Sequence, residues 1–281
     1  MILPVRRVWL AVYGRLKTRK NDEGLLNLND DVETCGYQDV KVIGNSPYEL
    51  RENTVMETEK KEMARKASPS VSIAEAFFVH LICGLGLALA FLIARHVYSA
   101  DLISDPSRTL FLILIVECPI VILLYSRYRT DREQCSYLKA VARGILGLLA
   151  GAIINAFGAI VLGAPIGAQY LSKTLNWSLV MSSFSVVPSA CVFGSSWMDW
   201  QRLFACSKPN GTIDHMICIP AHGAIIGAWF GAWPMPLDWE RPWQEWPICV
   251  SYGAVIGYSI AMVASLAFSH ARSGLQHVKR D

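Results

Sequence analysis

The stretch Ala76-Phe-Phe-Val-His-Leu-Ile-Cys-Gly-Leu-Gly-Leu-Ala-Leu-Ala-Phe-Leu-Ile-Ala94 is an apolar run interrupted only by His80. A helix needs about 20 mostly apolar residues to cross the hydrocarbon core of a bilayer. This stretch is therefore predicted to be a membrane span. Five more follow it: Leu110–Tyr125 with Glu117 inside, Gly144–Gly167 with Asn155 inside, the serine-rich Leu175–Phe193, Met216–Met235, and Pro247–Phe268. The expected fold class is all-α, a polytopic membrane helix bundle of about six transmembrane helices.

Composition agrees. The chain has 281 residues, 53% of them hydrophobic and 17% charged, with a mean hydropathy of +0.32. Soluble domains carry roughly a quarter charged residues. The charges are also unevenly spread: 12 Lys/Arg and 11 Asp/Glu precede Ser70, leaving 14 and 12 for all the rest. Three parts are expected: a polar leader (1–70), a six-span domain (71–269) and a short basic tail (270–281). The leader is mixed in charge and poor in aromatics, which suits a disordered arm.

Basic residues accumulate in short cytosolic loops. Arg127, Arg129, Arg132, Lys139 and Arg143 lie between spans two and three, Arg202 and Lys208 between four and five, and Arg272, Lys279 and Arg280 after six. The alternate connections hold Arg108, Lys173 and Arg241. Both termini are thus predicted cytosolic, and the loop 234–246 falls on the opposite, lumenal side. Trp177, Trp197, Trp200, Trp233 and Trp246 stand at predicted span ends, where amphipathic rings favour the interface.

A net charge of +3, with no basic face interleaved with aromatics, gives no footprint for nucleic acid. The eight cysteines are scattered singly, without CxxC or Cys/His spacing. They read as small apolar side chains, with neither a metal site nor a disulfide framework. No cofactor is expected: GxGxxG, P-loop, HExxH and GxSxG motifs are all missing from the sequence.

Helices in lipid associate through small residues. Gly223, Gly227 and Gly231 recur every four residues in span five, each followed by alanine, and Gly253 and Gly257 form a GxxxG in span six. Residues four apart share a helix face, so these sets are helix-packing candidates, either within the bundle or toward a partner's transmembrane helix. Glu117 and His222 are the intramembrane polar candidates, because ionisable groups at that depth usually face a cavity or a partner. Glu117 could pair with His80 or stay neutral. In span four, Ser182, Ser183, Ser185 and Ser189 around Pro188 suit a kinked helix; a polar headgroup groove is the lesser reading.

The densest constellation is Pro234-Met-Pro-Leu-Asp-Trp-Glu-Arg-Pro-Trp-Gln-Glu-Trp-Pro247. Four prolines stiffen it. Asp238, Trp239, Glu240, Arg241, Trp243 and Trp246 make it a candidate contact surface for a partner or for lipid. Asp238 and Glu240 without a nearby His or Cys form a thin metal shell, and Arg241 between them could neutralise the pair. Catalysis by Asp238, Glu240 and Arg241 is the weaker alternative, and lipid handling near Glu117 and the span-four serines is another.

The segment from Gly227 through that loop, continuing as Gly253-Ala-Val-Ile-Gly-Tyr258, closely resembles the C-terminal signature of the PIG-F family. Val161-Leu-Gly-Ala-Pro165 and Ser182-Ser-Phe-Ser-Val-Val-Pro188 resemble the same family, so that the likeness runs over roughly Leu146 to Ala267. The resemblance implies a multi-pass protein of the endoplasmic reticulum membrane, active in assembly of the glycosylphosphatidylinositol (GPI) anchor. It implies a non-catalytic subunit that stabilises an ethanolamine-phosphate transferase (PIG-O-like or PIG-G-like), with catalysis in that partner and phosphatidylethanolamine as donor.

Overall fold

A computed structural model describes residues 71–205 and 211–278. The expected leader, together with Lys208, Lys279 and Arg280, lies outside the described residues. Among those described, every regular element is a helix. The order is α1 (Ile73–His96), α2 (Pro106–Ser126), α3 (Tyr137–Val161), α4 (Ala168–Ser185), α5 (Val187–Phe193), the short α6 (Trp197–Trp200) running into a π-helical turn (Gln201–Ala205), α7 (Thr212–Ala232), a 3-10 turn (Pro242–Gln244) and α8 (Ile248–Val278).

Helices α1, α2, α3, α7 and α8 are each long and apolar enough to cross a membrane, and α4 with α5 makes a sixth candidate if the bent pair is one span. The two shortest, α2 and α7 with 21 residues each, cover about 31 Å at 1.5 Å per residue, which matches a bilayer core of about 30 Å. Large apolar side chains such as Phe78, Leu146, Ile154 and Ile260 stay exposed on the outer faces, as a lipid-facing surface requires.

Local chemistry sets the ends. Ser72 and Glu75 close a reciprocal capping box on α1: Glu75 N–H donates to Ser72 Oγ (3.1 Å) and Ser72 N–H to Glu75 Oε2 (2.9 Å). The Asp105 carboxylate accepts from the Arg108 N–H (3.0 Å), with Pro106 in the first turn of α2. Helix α3 corrects the expected span Gly144–Gly167 at both ends. It begins at Tyr137, because Arg143 reaches the Asp131 carboxylate (3.0 and 3.1 Å) and its charge is satisfied inside the helix. It stops at Val161, because Gly163 takes a φ of 105° and Ala164 N–H turns back to Ala159 O (2.9 Å), a left-handed glycine stop.

The fourth span is broken: α4 and α5 meet at 43°, just before Pro188. Four serine hydroxyls ahead of the break find backbone carbonyls, while the buried Ser189 Oγ beyond it meets no hydrogen-bond partner among the described residues. Ser178, Ser183 and Ser185 donate to Thr174 O, Val180 O and Met181 O, each at 2.7 Å. Ser182 donates to Leu148 O (2.9 Å) on α3. All four serines are buried, so they line no open groove.

In the bundle α1 packs on α2, α3 on α4, and α7 on α8; α4 also meets α2 and α7, and α8 meets α1. Phe184 and Tyr258 stack at the centre (4.3 Å between ring centroids). The six described cysteines are free and buried.

Candidate functional site

Three places gather the candidate residues. The first is the seam between α7 and α8. The two helices run antiparallel, joined by the segment 233–247. Gly227 lies directly on the backbone of Gly253, and a Cβ at 227 would stand 2.9 Å from the Gly257 Cα. One at Gly223 would stand 2.6 Å from Gly257 O, and Gly231 lies against the backbone of Cys249 and Val250. The five glycines therefore bring two backbones into contact, a distance that only small residues permit. Along the outer side of this seam runs a cleft of about 910 Å³. Exposed Ile226, Phe230, Ile256, Ile260 and Phe268 form its walls, and His222 lines it about midway along α7, between His215 and Gly231. The His222 ring donates from Nδ1 to Cys218 O (2.7 Å) and stacks on Phe204.

The second place is the bundle interior around Glu117. This side chain is fully buried, and neither carboxyl oxygen meets a hydrogen-bond partner among the described residues. It sits against Gly86 of α1, with the Cys83 thiol as a polar neighbour. The suggested pairing with His80 does not form. His80 Nε2 instead meets the Ser265 hydroxyl (2.7 Å), which also lies 2.8 Å from Met262 O. His80 Nδ1 is buried without a partner.

The third place is the loop between α7 and α8, which is firmly built at its base. The Gln244 amide donates to Pro234 O (2.6 Å) and Leu237 O (2.9 Å), while its oxygen accepts from Arg241 N–H (2.9 Å). Cys249 Sγ donates to Trp243 O (2.6 Å). The base is tied to α4 by Lys173 to Glu245 (3.0 Å) and by Trp246 Nε1 to Thr174 Oγ1 (3.0 Å), with the Trp246 and Trp177 rings 5.1 Å apart. Above the base, Asp238, Trp239, Glu240 and Arg241 are all exposed, and Glu240 holds a left-handed φ of 49°. No ion pair joins Arg241 to Asp238 or Glu240 among the described residues, so the suggested neutralisation within the loop is corrected. Trp243 is half-buried, its ring 6.0 Å from that of Trp239.

Two expectations change here. Trp246 is a buried anchor and not part of an exposed contact face, and Trp177 is likewise inside. Gln244, Thr174 and Gly86 have no role assigned from the sequence, and Lys173 is read there only as a loop charge, whereas it stands inside α4. Gln244 offered one signal, an uncharged amide between two tryptophans in a proline-stiffened loop whose carbonyls lack local donors.

Comparison with known proteins adds a second line. A family model described as GPI biosynthesis protein family Pig-F matches residues 85–266. The chain is 37% identical over 106 residues to the Mus musculus protein named GPI ethanolamine phosphate transferase, stabilizing subunit, covering 38% of this chain and 48% of that one. It is 38% identical over 125 residues to a PIGF/3-ketodihydrosphingosine reductase fusion protein of Schizosaccharomyces pombe, covering 44% and 25%. With glycosylphosphatidylinositol anchor biosynthesis protein 11 of Yarrowia lipolytica it shares 29% over 195 residues, covering 66% and 82%. The chain thus spans about half, or less, of the length of the first two of these relatives. No solved structure matches.

Proposed function

The chain belongs to the GPI biosynthesis protein family Pig-F, and from that premise we propose that it is the non-catalytic, stabilising subunit of a GPI ethanolamine-phosphate transferase. Its place is the endoplasmic reticulum membrane, with both termini cytosolic and the 233–247 loop in the lumen. The partner is a PIG-O-like or PIG-G-like subunit that carries the catalytic groups.

The observation that carries this reading is the 37% identity to a protein named as a stabilizing subunit. The geometry fits it. A stabilising subunit needs a surface where a partner's transmembrane helix can pack closely, and the cleft along the α7–α8 seam is apolar, open and floored by glycine backbone. Small-residue floors of this kind let helices approach in lipid without burying polar groups.

The test is purification of a tagged chain from mild-detergent endoplasmic reticulum membranes, followed by identification of what accompanies it. Stoichiometric recovery of a PIG-O-like or PIG-G-like transferase is expected. Recovery of the chain alone, stable and monodisperse, would overturn the reading.

A further inference from the structure

Resting on the stabilising-subunit reading, we propose that His222 is the polar anchor of the α7–α8 cleft. Its Nε2 accepts a hydrogen bond from a hydroxyl, amide or indole group that a transmembrane helix of a different chain carries at mid-membrane depth.

The cleft has nearly the length of a span. Its lining runs on α7 from His215 to Gly231, about 24 Å at 1.5 Å per residue, against a hydrocarbon core of about 30 Å. The glycine floor lets another backbone come close. Exposed Phe230 and Phe268 stand at its opposite ends.

His222 interrupts this apolar lining at the costliest depth. It is the eleventh of the 21 residues of α7, about 15 Å from either end. A carbonyl oxygen only accepts, so the 2.7 Å contact with Cys218 O puts the ring proton on Nδ1. With Nδ1 held to its own helix, Nε2 is the outer nitrogen and carries a lone pair. It meets no hydrogen-bond partner among the described residues. Phe204 covers one face of the ring with carbon. An acceptor left without a donor in hydrocarbon is unfavourable, so the matching occupant brings a donor to the midplane.

That electrostatic complementarity selects among occupants. An acyl chain has no donor. Headgroup donors and sterol hydroxyls stay at the boundary, about 15 Å away. A second copy, docked face to face by a two-fold axis, presents the same cleft at the same depth. Two Nε2 acceptors would then oppose each other across two concave surfaces. The neighbouring Cys218 thiol already turns to Leu203 O (3.4 Å). A helix of another chain with Ser, Thr, Asn, Gln, Tyr or Trp at its centre satisfies both the length and the lone pair.

The experiment co-expresses the full tagged chain with a PIG-O-like or PIG-G-like transferase in endoplasmic reticulum membranes. Photoreactive benzoylphenylalanine replaces Phe230, Phe268 or, as a control on the outer face of α3, Phe157. Crosslinks from Phe230 and Phe268 should reach one and the same transmembrane helix of the transferase, with a donor side chain near its midpoint, while Phe157 reaches lipid. His222→Phe keeps a ring against Phe204 and removes the acceptor. It should lower recovery of the transferase about three- to tenfold, the worth of one interhelical hydrogen bond. His222→Gln keeps an acceptor and should restore most of that loss. Melting temperatures of the same samples separate lost binding from lost fold; should His222→Phe melt early, His222→Gln and the crosslinks decide. The proposal is overturned, and the reading left standing, if the transferase accompanies the wild type but the cleft positions reach only lipid, a second copy or no shared helix, or if a well-folded His222→Phe recovers it equally. Absence of the transferase from the wild type overturns the reading itself, and the proposal with it.

Discussion

Gly86 and Glu117 share one space: a Cβ on residue 86 would lie 2.7 Å from Glu117 Oε2 and 2.6 Å from Ile120 Cδ1. The absent side chain on α1 is what lets a carboxyl group enter the α1–α2 contact. Gly86→Ala should lower stability by about 1–3 kcal/mol, the usual cost of overpacking a filled core. Glu117→Gln keeps the shape and should be far milder. Thermal unfolding of the detergent-solubilised chain ranks the two, and equal midpoints would refute the relationship.

The seam glycines should be less forgiving than Gly86. At Gly86 the obstacle is the end of two side chains; at Gly227 and Gly253 it is backbone, which cannot rotate away. Gly227→Ala and Gly253→Ala should therefore destabilise more than Gly86→Ala. Gly84 and Gly158 have nothing within 4 Å of a new Cβ. Alanine there should be neutral, or stabilise by about 0.5–1 kcal/mol through backbone entropy. A flat series of melting temperatures would contradict this order.

Removal of the Gln244 side chain should loosen the loop without unfolding the bundle. Gln244→Ala leaves Pro234 O and Leu237 O without their donor, at about 1 kcal/mol per neutral hydrogen bond. Limited proteolysis should cut between 234 and 246 much faster in this variant, while Gln244→Glu, which keeps the acceptor but has no NH₂, should fall in the same direction. Equal cleavage rates in wild type and Gln244→Ala would show that the staple does not hold the loop.

Asp131 supplies a pH dependence. Burial alone would push its carboxyl up, but the hydrogen bonds and charge of Arg143 outweigh this and hold it below its ordinary value. A depressed folded pKa contributes stability above the unfolded value of about 4, and that contribution is lost as pH falls through the folded value. Acidification below about pH 4 should lower the melting temperature of the wild type more than that of Asp131→Asn. Superimposable acid profiles would remove Asp131 from the account.

Hydropathy revealed where the spans lie, because lipid demands long uninterrupted apolar helices and little else competes with that signal. Its errors fall where polar groups find distant partners. Arg143 looked like a loop residue and is helical because Asp131 meets it. Lys173 and Thr174 stand inside α4 because Glu245 and Trp246 wait 72 residues further on. His80 does not pair with Glu117 but finds Ser265, 185 residues away. The glycine periodicity of spans five and six was legible, whereas its backbone-to-backbone register was not, since spacing along one helix says nothing about its height against another. The loop's composition marked it as special, yet only the folded chain separates Trp246 and Gln244, which hold it, from Asp238 to Arg241, which it displays.

The α7–α8 contact also bears on how the protein is made. Its partners are neighbours in sequence, so closing the hairpin across 233–247 costs little chain entropy and brings no distant segment into play. These last two helices can find their register as soon as the second leaves the insertion machinery, whatever the other spans are doing. Damage to the seam would then appear during biogenesis, as newly made chains that are cleared before they mature, and only secondarily as a defect in the finished molecule.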